Sequence, residues 1–259
     1  MTWVLDCDGV VWLGDEPIAG APEAITRLRA AGQRVVFLTN NSGPRRADHL
    51  AKLQKMGMPT ADEDLISSPM AAASLLEPGE RVLVLGGPGV LEALTARGVE
   101  VVEPVEPEDK SGAGGSFAAV VVGFDSKFDF DRLAAATTAL RAGARLIGTN
   151  DDATFPTPHG LLPGAGSFLA AVAKAGGVAP VIGGKPYQPI ADLLRKSVGN
   201  VGIVVGDRPS TDGRFARLVG ARFGLVLTGV TPRGHGPVDP EPDDEADDLL
   251  DLVETILSR

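Results

Sequence analysis

Trp3-Val4-Leu5-Asp6-Cys7-Asp8-Gly9 is a short apolar run that breaks abruptly at two aspartates and a glycine. The run reads as a buried strand. Side chains two apart on an extended chain share a face, with a spacing of about 6.6 Å along the strand. Asp6 and Asp8 therefore stand together where the strand ends, and Cys7 points the other way as a small buried hydrophobe. Carboxyl ends of parallel strands are where open α/β sheets bind ligands. Two carboxylates there can divide labour, one attacking an electrophile and the other moving a proton to the leaving oxygen and from water. Taken alone, the stretch equally fits a turn with two solvated acids.

The chain that follows repeats the strand-then-helix pattern. Pro22 begins a helix through Ile25, Leu28 and Ala31 that Gly32 ends, the expected placing of Pro and Gly. Val35–Leu38 is a second continuous apolar run, Pro44–Met56 reads as a helix and Leu65–Ser67 as a strand. This order predicts a doubly wound parallel sheet, an α/β fold of Rossmann-like type. A second α/β pattern starts at Val82–Leu85, turns at Gly86-Gly87-Pro88-Gly89 and passes through a helix at Leu91 and Leu94. Strands near Val99–Val102, Ala118–Val122 and Arg145–Ile147 and a helix over Asp131–Leu140 complete it. Pro104–Ser116, rich in Pro, Glu, Gly and Ser, is expected to form a loop. The last stretch carries a helix around Ile190–Ser197, strands Val201–Val205 and Phe223–Leu227, and an amphipathic helix with Leu249, Leu252, Val253 and Ile256 on one face. The expected division is a discontinuous core of residues 1–78 and 180–259 with an inserted α/β cap of residues 79–179.

Three further stretches follow strand signals, as Asp6 and Asp8 do. Thr39-Asn40-Asn41-Ser42 offers hydroxyl, amide and main-chain donors before a helix, a favourable place for phosphate oxygens, though alone it is more simply a helix cap. In Gly184-Lys185-Pro186 a lysine could neutralise a phosphorylated aspartate, although most lysines are solvated. Gly206-Asp207-Arg208, with Thr211-Asp212 behind it, could complete a Mg²⁺ site; a capped turn accounts for it equally well. His49, His159 and His235 are too scattered for a metal site, and His49 and His235 are expected at the surface.

The 259 residues are 44% apolar and 22% charged, ordinary for a globular protein. No apolar run approaches the roughly 20 residues of a membrane helix. No charged leader with a small-residue cleavage site precedes the first strand, and the single cysteine suits a reducing compartment, so a cytoplasmic location is expected. The net charge of −10 is concentrated: Pro237–Asp248 holds seven acids and no base, and the remainder carries −3. That segment is expected to be solvated. With no basic stripe, nucleic acid is not expected as a partner.

Together the four stretches resemble the four motifs of the haloacid dehalogenase superfamily of aspartate-nucleophile phosphatases. The resemblance covers nearly the whole chain. The early turn at Thr39–Ser42, the long insertion before Gly184-Lys185-Pro186, and the Gly206–Asp212 and Leu227–Thr231 stretches are most similar to the subclass with a large α/β cap. Its members include 4-nitrophenyl, phosphoglycolate, glycerol-phosphate, pyridoxal-phosphate and nucleotide phosphatases. The resemblance implies Asp6 as nucleophile and Asp8 as general acid and base. Thr39, Asn40, Asn41 and Lys185 would hold the phosphate. Asp6, the Asp8 carbonyl and Asp207 would bind Mg²⁺, with Asp212 in support. In the cap it directs attention to Asn150–Pro163 and to Gly123-Phe124-Asp125, where Phe124 and Phe155 would pack on a leaving group and Asp125 or His159 would bond a hydroxyl; the alternative is that the two phenylalanines are cap core and His159 is exposed. The expected activity is hydrolysis of a small phosphate monoester, with a homodimer left open. The alternatives are a phosphotransferase or phosphomutase using the same aspartate, and a silent binding module. The sequence departs from the pattern at Pro209-Ser210 and Gly213, and in Arg214 and Arg217, where the family is apolar and small.

Overall fold

The computed structural model describes residues 1–104, 116–157 and 159–259. The loop expected over Pro104–Ser116 lies almost entirely outside the described residues. From the start, the described chain runs β1 (Thr2–Leu5), a small hairpin of β2 (Trp12–Leu13) and β3 (Glu16–Pro17), α1 (Ala21–Ala30), β4 (Arg34–Thr39), α2 (Arg46–Lys55), β5 (Leu65–Ser67) and α3 (Ser68–Ala73). It continues through β6 (Arg81–Leu85), α4 (Pro88–Ala96), β7 (Glu100–Val102), β8 (Ala119–Val122), α5 (Phe130–Arg141), β9 (Arg145–Gly148), β10 (Thr154–Thr157), β11 (Gly160–Pro163), α6 (Ala165–Gly176) and β12 (Val181–Ile182). It ends with α7 (Gln188–Val198), β13 (Ile203–Gly206), α8 (Arg214–Val219), β14 (Arg222–Val226), β15 (Asp244–Ala246) and α9 (Leu249–Leu257).

Two parallel sheets result, ordered β15-β14-β13-β1-β4-β5 and β12-β9-β8-β6-β7. β1 lies between β13 and β4, with Trp3 opposite Ile203 and Val35. A strand so placed is buried on both faces, which is why Trp3-Val4-Leu5 carries no polar alternation. Trp3 and Leu5 join a layer with Ile25 and Leu28 of α1 and Leu252 and Val253 of α9. Val4 turns to the opposite layer, with Ile190 and Leu194 of α7 and Phe215 of α8. The second sheet is covered in the same way by α5 and α6 on one face and α4 on the other. This is the expected Rossmann-like core with an α/β cap. Val181–Ile182, expected on the core side of the boundary, pairs with β9 and so belongs to the cap sheet. α3 serves both bodies, for Ala71 packs into the core layer and Ala72 and Ala73 into the cap layer.

Two expectations about the surface are corrected. His49 is buried, its ring stacked on Trp12 at 6.2 Å between centroids. The helix bearing it also carries Arg46, Asp48, Lys52 and Lys55, but His49 and Leu53 lie on its inward face. His235 is half-buried, hydrogen-bonded to Glu245. The acidic segment is not simply solvated either. β15 extends the core sheet, with Asp244 buried between Arg222 and Arg259. Arg217 pairs with Asp243 at 2.5 Å and Arg214 with Asp239 at 3.2 Å. A Cβ on Gly213 would stand only 2.8 Å from Pro240. Gly213, Arg214 and Arg217, three of the departures from the family pattern, therefore all face this segment.

Candidate active site

The chain ends of β1, β4 and β13 and the segment after β12 meet at one edge of the core sheet, beneath the cap. Lys185, fully buried, places its ammonium 2.8 Å from Asp6 Oδ1 and 2.6 Å from Asp212 Oδ1. Burial alone would push Lys185 down, but the carboxylates of Asp212 and Asp6 outweigh it, and the group is held up as a cation. Burial also pushes Asp6 well up; Lys185 opposes this, while Asp212 and Asp207 add to it. Asp207 is raised by burial, and next by Asp212, to about 7. Asp6, Asp207 and Asp212 each bring a carboxylate oxygen within 4.8 Å of the others. Three acids this close with one lysine among them leave negative charge uncompensated, which is what a hard divalent cation offsets. The donor set fits Mg²⁺. The carboxylate of Asp8 is not in this cluster; Asp212, expected only in support, is.

The loops around the cluster are built to hold it. Gly9 has φ +87°, and a Cβ there would press on the Asp207 carboxylate, so only glycine fits. Thr228 Oγ1 donates to the Gly9 carbonyl at 2.6 Å, and the Val230 N–H donates to Asp207 Oδ2 at 2.5 Å. Pro209–Gly213 forms a wide π-type turn, in which the N–H of Asp212 donates to the Arg208 carbonyl at 2.7 Å. The Pro209-Ser210 departure thus leaves Asp212 in place beside Lys185.

The side chains of the Thr39–Ser42 turn are engaged in different ways. Asn41 N–H donates to Thr39 Oγ1 at 2.9 Å, so the Thr39 hydroxyl hydrogen is left for another acceptor. Both amide hydrogens of Asn40 are engaged, with Asp152 Oδ2 at 2.8 Å and the Lys185 carbonyl at 3.1 Å. Its oxygen accepts from the Lys185 N–H at 2.9 Å. The Asn40 side chain therefore clamps the lysine loop instead of reaching for a ligand. Ser42 Oγ accepts the Phe124 N–H at 2.8 Å, a bond from core to cap.

A cavity of about 490 Å³ opens above these groups. Asp6, Asp8, Thr39, Asn40, Asn41, Lys185, Asp207 and Asp212 line its floor, and Phe124 and Phe155 stand in its wall, edge to face at 5.7 Å. Of the four cap residues singled out from the sequence, only these two line it. Asp125 is buried against Arg132 at 2.8 Å, and His159 is exposed on the β10–β11 turn. Burial raises Asp152, which lines the cavity with Arg208 and accepts from it at 3.2 Å. Asp152 and Arg208 carry no local sequence signal, because the pair they form spans 56 residues. Gly87 belongs to the strand-to-helix turn, as expected for Gly86–Gly89, and the N–H of Gly89 donates to the Gly43 carbonyl of the core.

A family model described as haloacid dehalogenase-like hydrolase matches residues 3–100, and a second, HAD-hydrolase-like, matches residues 182–252. The chain is 34% identical to the glycerol-3-phosphate phosphatase of Gallus gallus over 97% of its own length and 90% of the relative's. It is 32% identical to the 5'-nucleotidase YutF of Bacillus subtilis, over 96% of this chain and 95% of that one. A glycerol phosphate phosphatase from Mycobacterium tuberculosis, solved in complex with magnesium, superposes with a TM-score of 0.83 at 33% identity, covering 97% of this chain and 75% of that one. The chain therefore belongs to the haloacid dehalogenase-like hydrolases, among the phosphatases of that family.

Proposed function

We propose that the protein is a Mg²⁺-dependent phosphatase of small phosphate monoesters and that it works through a phosphorylated Asp6. The observation that carries this reading is the buried ammonium of Lys185 bridging Asp6 and Asp212, with Asp207 completing a three-carboxylate cluster. Bound Mg²⁺ would be held by Asp6, Asp207 and Asp212 and would supply positive charge for the phosphate oxygens. The magnesium complex of the related glycerol phosphate phosphatase supports that choice of metal.

The chain's own residues account for the steps. An oxygen of Asp6 attacks phosphorus while the bond from phosphorus to the ester oxygen breaks, and Asp8 gives that oxygen its proton. The alcohol departs, leaving an aspartyl phosphate whose charge Lys185 balances. Asp8, now ionised, takes a proton from water; the water oxygen bonds to phosphorus, and Asp6 and inorganic phosphate are released. Thr39 donates its hydroxyl to the phosphate, and Asn40 and Asn41 shape the loop that presents it. The cap sheet, residues 79–179 extended to Ile182, roofs the cavity and keeps bulk water from the phosphorylated form. Relatives named for glycerol 3-phosphate, phosphoglycolate and 5'-nucleotides support a small metabolite as the substrate.

The test is phosphate release from a panel of metabolite phosphates with Mg²⁺, alongside Asp6→Asn. Turnover should need the metal, and the variant should lose activity by several orders of magnitude. Acid quenching should trap a phosphoprotein that hydroxylamine cleaves. An active Asp6→Asn variant would overturn the reading, and phosphate recovered on an added alcohol would redefine the enzyme as a transferase.

A further inference from the structure

Four residues beyond Asp8, the chain folds back on itself. The N–H groups of Val11 and Trp12 both donate to the Cys7 carbonyl, at 2.9 and 3.1 Å, and the N–H of Gly9 donates to the Trp12 carbonyl at 2.8 Å. This turn returns Trp12 to the side of Asp8, and its indole Nε1–H donates to Asp8 Oδ1 at 3.0 Å. The indole is 1% exposed and packed in the core layer. One neighbour in register with its plane is the His49 ring, only 12° from parallel. The Lys52 ammonium sits 4.4 Å from its centroid, held by the Gly14 carbonyl at the hairpin tip. Burial lowers His49 from its usual value, against the opposing pull of Asp8 and of a main-chain contact with Asn41 of the phosphate loop.

A buried indole usually finds an acceptor, so the bond to Asp8 could be mere satisfaction of Trp12. The same core argues otherwise. Among the described residues, Trp3 Nε1 is buried with no hydrogen-bond partner. The fold therefore tolerates an unpartnered indole here, and Trp12 is placed at the one carboxylate that must handle a proton.

The chemistry of the donor gives the bond a consequence. Indole nitrogen donates and never accepts. Asp8 Oδ1 is thus always the acceptor, and the transferable proton is confined to Oδ2, for which the described residues offer no hydrogen bond. A carboxyl that could exchange its two oxygens would present the proton in the right direction only part of the time. We propose that Trp12, packed against His49 and Lys52 of α2, is the positioning residue that fixes Asp8 as a single-sided general acid and base. This rests on the role given above to Asp8.

The experiment compares kcat/KM, which reports steps only as far as departure of the alcohol, for 4-nitrophenyl phosphate and glycerol 3-phosphate. Nitrophenolate leaves without a proton, whereas an alkoxide needs one. For Trp12→Phe, kcat/KM on glycerol 3-phosphate should fall at least about tenfold further than on 4-nitrophenyl phosphate, out of the roughly 10²–10⁴ that general acid catalysis supplies. In an Asp8→Asn background the same change should add nothing further to the glycerol 3-phosphate defect. A purely structural role would lower both substrates alike, and that outcome, or no loss on either, overturns the proposal. Should Trp12→Phe fail to fold, 3-benzothienylalanine at position 12 keeps the shape, lacks the N–H and carries the same expectation. Metal-dependent turnover by the wild type and its loss in Asp6→Asn test the phosphatase reading independently, so the two ideas can fail separately.

Discussion

Lys185 Nζ lies 2.8 Å from Asp6 Oδ1, an ion pair whose side chains are 2% and 13% exposed. In water such a pair would contribute little, but here the desolvation of each charge makes each dependent on the other. Lys185→Met should therefore do more than abolish turnover. It strands Asp6 and Asp212 without their cation, and the metal-free variant should be less stable by about 3–5 kcal/mol in denaturant titrations. Lys185→Arg should also be inactive, because a planar fork does not fit a site shaped round one ammonium. Near-normal stability of Lys185→Met would show that the acid cluster is neutralised in another way.

Asp207 is held at about 7 and Asp6 is raised in the same direction, both chiefly by burial. A carboxyl raised on folding stabilises below its unfolded value, ordinarily 3.8, and that contribution is lost as pH climbs through the folded value. The metal-free protein should accordingly weaken between about pH 4 and about pH 7. Mg²⁺ requires the carboxylates unprotonated, so its affinity should climb over the same window and level off above it. Calorimetry in buffers of different ionisation enthalpy should show protons released on binding at about pH 6. Affinity that does not vary with pH would rule this out.

Phe155 lines the cavity, and His159, on the same hairpin, does not. Phe155→Ala should raise KM several-fold or reorder the substrate series while leaving phosphoprotein formation intact. His159→Ala should leave the series unchanged. A reordered series with His159→Ala would mean that the turn reaches the substrate.

The acidic segment is held by ion pairs of two kinds, and they should respond differently. Arg217 and Asp243 are about two-fifths exposed, so breaking that pair should cost roughly 0.5 kcal/mol and less in salt. Asp244 is buried, yet its partners Arg222 and Arg259 are exposed and water can take them over when it is removed. Asp244→Ala should therefore cost about 1–3 kcal/mol, and less than Lys185→Met, which leaves its partners buried. Thermal melts of the three variants in low and high salt give the order.

The strand ends that carry Asp6, Thr39 and Asp207 were legible because parallel strands covered on both faces are continuous apolar runs, and each run stops where its loop begins. α3 was not, since Ser-Pro-Met-Ala-Ala-Ala is short and has no polar face, being wedged between two cores. β15 hid in the same way: Asp244-Glu245-Ala246 is strand only because Arg222 and Arg259 compensate the buried acid. His49 sits among Arg46, Asp48, Lys52 and Lys55 on its helix, and its place against Trp12 is a tertiary one. The engagement of Asn40 and the pairing of Asp125 with Arg132 likewise depend on contacts that no local pattern encodes.

The segment that leads into Lys185 hands three successive main-chain N–H groups to three acceptors. Gly183 donates to Gly148 and Gly184 to Thr149, both at the end of the cap sheet, and Lys185 donates to Asn40 of the core. Ile182, the last residue of the cap's edge strand, is three residues from the ammonium. Such a tether has no slack to take up. A tilt of the roof would be transmitted, like the throw of a short lever, to the charge beneath it, and opening the cavity would then loosen the grip on Asp6 in the same movement.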